Sequence, residues 1–281
     1  VRFFFLQAKR SSFTERAAAV AYNFIMTIPP TVIFLFTLIP YLPIRRGFID
    51  QMFDLIKDVI PGEKNNEGVI KFLSDILNNQ RTALLSTGFV LAMFFSSNAV
   101  MGIMRSFNKN YIGFRKRRGF SQRWTAIKLT AILFVLFFAS ILTLITQGEV
   151  LIWFGIQNKF LIWVINNFRW VVIVLLFFLS ISFIYRYAPA VHKRWQLVNP
   201  GSILATALMI IFTAGFSYWV NNFSHYNELY GSIGTVLILM LLIYFNSLVL
   251  LIGFELNVSI NSLKHEVDER NKNLATGTHV A

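Results

Sequence analysis

Residues 17–44 read AAAVAYNFIMTIPPTVIFLFTLIPYLPI, 28 consecutive positions without a charged side chain. An apolar helix needs about 20 residues to cross the hydrocarbon core of a bilayer, so this stretch is long enough to span one. Five further uncharged runs follow at 82–104, 129–147, 170–185, 197–222 and 232–254. The run at 170–185 is short, and Phe168 and Tyr187 are expected to extend it. The pattern predicts an all-α, polytopic membrane protein with six transmembrane helices. Composition agrees: 56% of residues are hydrophobic, 14% are charged and Phe alone numbers 30. No soluble domain of this length could hide so much apolar surface.

The net charge of +13 could suggest nucleic acid, but its distribution points to a membrane. If the N-terminus is cytoplasmic, 18 of the 26 Lys and Arg residues fall on the cytoplasmic side, eight of them between Arg105 and Lys128. The other eight, on the outer side, are offset by eight acidic residues. The positive-inside rule therefore places both termini in the cytoplasm. The partners expected there are membrane lipids with anionic headgroups, each basic residue contributing on the order of 1 kcal/mol. Nucleic acid is not an expected partner.

One six-helix domain is expected over residues 1–262, followed by a polar cytoplasmic tail at 263–281. Residues 46–80 carry apolar positions at helical spacing on either side of Pro-Gly-Glu-Lys-Asn-Asn, and read as an outer amphipathic helical hairpin. Residues 150–168, with Trp153 and Trp163, read as an outer interfacial helix. The basic, aromatic start of the chain reads as a segment lying on the inner surface, without a cleavable signal peptide. Pro29 and Pro30 fall mid-membrane. Each removes a backbone donor and clashes one turn back, so a kink, and with it a candidate hinge, is expected there. Tyr111 with Arg123-Trp124, and Tyr187 with Arg194-Trp195, hint at a parallel repeat in which each pair precedes a helix.

The residue census argues against an enzyme. The four histidines are scattered and cysteine is absent. No phosphate loop or nucleophile elbow appears, so no catalytic residue, metal or cofactor is expected. Ionisable groups inside a membrane are the default functional suspects, because burying them is expensive. Glu255 is the one acid in the membrane part of the chain. It is expected either to pair with Arg16, Arg105 or Arg186 or to serve a coupling ion. Asn23 and Asn98 each lie seven residues inside a cytoplasmic helix end, about 10 Å at 1.5 Å per residue. With Tyr22 and Asn257 they form a candidate polar cavity opening inward. Interhelical hydrogen bonding is the ordinary alternative role for such residues.

Three stretches together resemble the YihY/BrkB family, historically also labelled ribonuclease BN. They are Arg16-Ala17-Ala18-Ala19-Val20-Ala21-Tyr22 with Pro29/Pro30 downstream; Arg186-Tyr187-Ala188-Pro189 with Trp195 and Pro200-Gly201; and Tyr230-Gly231-Ser232-Ile233-Gly234, closing with Gly253-Phe254-Glu255-Leu256-Asn257. Two adjacent prolines stand where the family usually has one, and Ile-Tyr-Phe-Asn replaces the usual aromatic-rich motif around Asn246. The resemblance implies a six-helix bacterial inner-membrane protein, and the ribonuclease label looks like a misassignment.

Three functions are compatible with these readings. The first is a non-enzymatic transporter or translocation component for lipid or another amphiphile. The second is a small-solute or ion-coupled transporter using Glu255. The third is a membrane scaffold, with an envelope protein docking at the outer hairpin. A homo-oligomer is compatible with all three.

Overall fold

The computed structural model describes residues 13–41, 82–108, 119–145, 158–191, 194–223 and 232–275. The expected outer hairpin at 46–80 and the surface segment before residue 13 lie outside the described residues. Among the described residues seven α-helices are formed: α1 (Phe13–Ile25), α2 (Ile28–Leu38), α3 (Thr82–Phe107), α4 (Gly119–Ile145), α5 (Lys159–Tyr187), α6 (Pro200–Phe223) and α7 (Ser232–Ala275). A 3-10 turn, Ile39–Tyr41, follows α2. Among the described residues six spans are long and apolar enough to cross a membrane, with α1 and α2 together making the first. The fourth span, Phe168–Tyr187, has the extended limits expected from sequence. The protein is an all-helical, multi-pass membrane protein.

The prolines account for the split in the first span. Pro29 and Pro30 have no N–H to donate to the carbonyls one turn back, and α2 begins with them in its first turn. The chain turns at Met26–Thr27. There the Thr27 N–H donates to the Phe24 carbonyl at 2.9 Å, and the Thr27 hydroxyl donates to the same oxygen at 2.6 Å. The break changes what the span touches. α1 packs against both α7 and α3, whereas α2 packs on α3 and makes no comparable contact with α7. Past the break, the first span therefore leans away from the last.

Neighbours in sequence are neighbours in space, from α3 to α4, α5, α6 and α7, and α1 closes the ring between α7 and α3. Burial along this ring is uneven. The core is built from Ala17 and Val20, Val100 to Phe107, Ala126 and Leu129, Ile181 to Ala188, Ala205 and Met209, and Val249 to Val258. All of these lie toward the helix ends that carry Arg16, Arg105 and Arg186, here called the basic end. Toward the other end, α2, α3 and α4 pack through a cluster of rings. Phe34 lies 5.4 Å from Phe89 and 6.0 Å from Phe138, with its backbone beside Gly88 of α3. By contrast, no residue is buried in α4 from 131 to 143, in α5 from 168 to 180, in α6 from 210 to 220 or in α7 from 236 to 246. Among the described residues, burial is dense at the basic end and sparse along these four stretches toward the other.

The structure adds to the sequence reading at three elements. Residues 159–168 do not form a separate interfacial helix: they continue unbroken into the fourth span as the start of α5. No proline or glycine interrupts the junction, so nothing stops the helix there. The expected tail is helical as well, since α7 runs on to Ala275 over 44 residues. That is about 66 Å at 1.5 Å per residue, twice a hydrocarbon core of about 30 Å. Finally, the two halves of the suggested repeat differ locally: Arg123 and Trp124 lie inside α4, whereas Arg194 and Trp195 lie in the connection before α6.

Candidate functional site

Parts of the three sequence stretches quoted above meet at the basic end. Gly253 and Gly201 bring α7 and α6 into backbone contact. A Cβ on Gly201 would fall on the Gly253 carbonyl oxygen, and one on Gly253 would lie 2.5 Å from the Tyr185 hydroxyl. Only glycine allows this approach. Tyr185, buried on α5, donates its hydroxyl to the Leu250 carbonyl at 2.7 Å. Phe254, one residue beyond Gly253, stacks on Phe107 with centroids 3.8 Å apart and planes parallel within 1°. Trp195 closes the other side at 5.6 Å. Asn257, one turn further on, accepts the Gly201 N–H at 2.8 Å and donates to Asn199 Oδ1 at 2.6 Å. Asn199 in turn accepts from the Ser202 N–H, the N-terminal cap expected of an asparagine just before a helix.

Glu255 points the opposite way, toward α1. It is 2% exposed, and its Oε1 accepts from Arg16 Nη1 at 2.8 Å. Of the three cations considered from sequence, Arg16 is the one that pairs with it. The Arg186 guanidinium instead lies 5.8 Å over the Tyr187 ring. Arg105 sits exposed at the end of α3. A carboxylate removed from water costs several kcal/mol unless paired, and Arg16 offsets that cost. In one stretch of α7, then, Gly253 to Asn257, four positions fasten three neighbours: Gly253 and Asn257 meet α6, Phe254 meets α3 and Glu255 meets α1.

The candidate polar residues do not form one cavity. Asn23, Arg16 and Arg105, with Glu15, Ala19, Gly102 and Ser106, line an open groove of about 270 Å³ between α1 and α3. The Asn23 amide lies across Gly102 and donates to the Ala19 carbonyl at 2.7 Å. Tyr22 is not part of this groove: it is 60% exposed, one helical step of about 100° from Asn23, and faces the bilayer. Asn98 is turned to the far side of α3, where its Oδ1 accepts from Arg123 Nη1. Asn257 belongs to the α6–α7 joint. Asn246, deeper in the bundle, donates to Thr213 Oγ1 at 3.3 Å, joining α6 and α7 where both side chains are accessible.

Sequence reading missed Arg123, which sits within a run of basic residues that looked like loop. It also gave no role to Gly201 and Gly253, although both lie in the quoted motifs. Two glycines next to a buried asparagine, each near the same end of an apolar run, were the available signal. Among the described residues, no group of three His, Asp or Glu side chains is brought together that could hold a metal.

A family model, "Virulence factor BrkB", matches residues 4–276, and the chain belongs to that family. A "ribonuclease-like protein YfkH" of Bacillus subtilis (strain 168) is 31% identical over 260 residues, covering 91% of this chain and 92% of its own length. A "UPF0761 membrane protein" of Stenotrophomonas maltophilia (strain R551-3) is 25% identical over 257 residues. That match covers 90% of this chain, which spans 58% of that relative's length. No solved structure matches the chain.

Proposed function

We propose that this protein is a non-enzymatic lipid- or amphiphile-handling component of the bacterial inner membrane, with its basic end in the cytoplasm. One observation carries the reading: burial in the ring of helices is dense at the basic end and sparse toward the other, where α2 makes no contact with α7 comparable to that of α1. A lightly packed face of that kind would let a lipid enter sideways from the outer leaflet. The surface it would meet is apolar and aromatic, with Phe212 lying 5.1 Å from Phe245 and Phe216 lying 6.0 Å from Trp219. The Thr213–Asn246 pair supplies the one polar contact described in this wall. An acyl chain suits the first surface and a headgroup or ester the second.

An ion-coupled transporter built on Glu255 is less well supported, because its carboxylate is already bonded to Arg16 within the packed half. A scaffold would have no use for the loose half. Ribonuclease chemistry is not part of the proposal; RNA hydrolysis by the pure protein, abolished by changing one of its residues, would oppose it.

The test is movement of headgroup-labelled phospholipid between leaflets of vesicles containing the purified protein. Faster movement than in protein-free vesicles, slowed when a cysteine pair locks α2 to α7, is expected. Rates indifferent to the lock would reject the gap as the route.

A further inference from the structure

We infer that Arg123, held between α3 and α4, is a binding site for the phosphate of an anionic phospholipid in the leaflet at the basic end. The contacts around its guanidinium are all neutral. Nη1 donates to Asn98 Oδ1 and approaches Met101 Sδ at 3.3 Å, while its Cζ stands 4.9 Å over the Phe94 ring. The positive charge is therefore not cancelled. Among the described residues the one ion pair is Arg16–Glu255, and Arg123 has no acidic partner. The remaining guanidinium N–H groups are not shut away, since none of them is a buried atom lacking a partner. An arginine fixed on one edge, with its other donors accessible, is pre-organised for a phosphate, whose oxygens match the planar fork.

Its depth is marked independently. One turn further along α4, the Lys128 ammonium lies 5.5 Å over the Trp124 ring, reaching back toward the basic end as a lysine does when it snorkels to the headgroup layer. Arg123 shares that level. Phe94 and Trp124 beside it are 52% and 56% exposed and offer an apolar wall to the acyl chains below a bound headgroup. Basic pockets between spans are known to hold anionic headgroups in this way. This site lies at the packed end and is independent of the lipid path proposed above.

The experiment uses the full chain in a neutral detergent. Its thermal midpoint is read with added phosphatidylglycerol, phosphatidylcholine or inorganic phosphate. Phosphatidylglycerol should raise the midpoint more than phosphatidylcholine does, and phosphate alone should do nothing. Arg123→Gln should remove at least half of that difference. Asn98→Asp is made in parallel, because it keeps the contact but supplies a carboxylate that neutralises Arg123; it should remove the difference even if Arg123→Gln fails to fold. Arg270→Gln, on the exposed end of α7, should leave it intact. An undiminished phosphatidylglycerol effect in Asn98→Asp would overturn the site, and a phosphate effect equal to that of the lipid would overturn the lipid as its ligand.

Discussion

Arg16 and Glu255, 239 residues apart in the chain, meet at 2.8 Å with both side chains buried and so tie the first membrane span to the last. The pair closes the ring of helices where it is most tightly packed. Removing one partner of a buried pair leaves the other charge uncompensated, at a cost of about 3–5 kcal/mol. Glu255→Gln and Arg16→Met should each lower the thermal midpoint and the yield of folded protein. The double variant Arg16→Met/Glu255→Leu should regain much of the loss, because no orphan charge remains. Function per folded molecule should survive in all three. A Glu255→Gln protein of normal stability that had lost all function would identify Glu255 as a working group instead.

Gly253 and Gly201 set the α6–α7 crossing. Gly253→Ala would drive a methyl group into the Tyr185 hydroxyl, the Gly201 carbonyl and the Ala205 side chain at once. Overpacking of this kind costs about 1–3 kcal/mol, and more where backbone must move. Gly253→Ala should therefore unfold at markedly lower temperature than Gly215→Ala on the same α6–α7 pair, since nothing lies within 4 Å of a Cβ at Gly215. Equal melting of the two would remove the crossing from the account.

Pro29→Ala and Pro30→Ala together restore two backbone donors and remove two ring clashes. The first span should then straighten into one helix, with thermal stability equal to or above the parent. Straightening swings α2 back toward α7. A cysteine pair placed across α2 and α7 at the loose end should therefore cross-link faster in the double variant than in the parent. Unchanged cross-linking would mean that the prolines do not hold the two apart.

Orientation follows from the split of basic residues. Reporter fusions after Asn65 and Asn227 should read as outside the cytoplasm, and fusions after Arg118 and Lys193 as inside. A single reversed reporter would overturn the assignment of the basic end to the cytoplasm.

Much of this architecture is legible in the chain because membrane crossing is decided by length and charge, both of which are local. The fourth span could be read out to Phe168 and Tyr187 for that reason. The break at Pro29/Pro30 was legible too, since a missing N–H acts on its own helix. What the chain does not display is which face each polar residue turns to. Asn23 and Asn98, flanked by Tyr22, share a depth, and that depth suggested one cavity together with Asn257. Their azimuths around three helices send them to the bilayer, to α1–α3, to α4 and to α6. The continuity of α5 through residues 159–168 was hidden for a related reason: a tryptophan-rich stretch has the same composition lying on a membrane as standing out of it.

The central claim is that the bundle is closed at the basic end and open at the other. The chain has no cysteine, so single substitutions report cleanly. Thr213→Cys lies on the accessible face beside Asn246, whereas Thr206→Cys lies two turns away on the same helix in the packed half, where Thr206 is 6% exposed. A lipid-soluble maleimide should label Thr213→Cys readily and leave Thr206→Cys unmodified. Equal labelling of the two would contradict the claim, because the basic half would then be as open as the other.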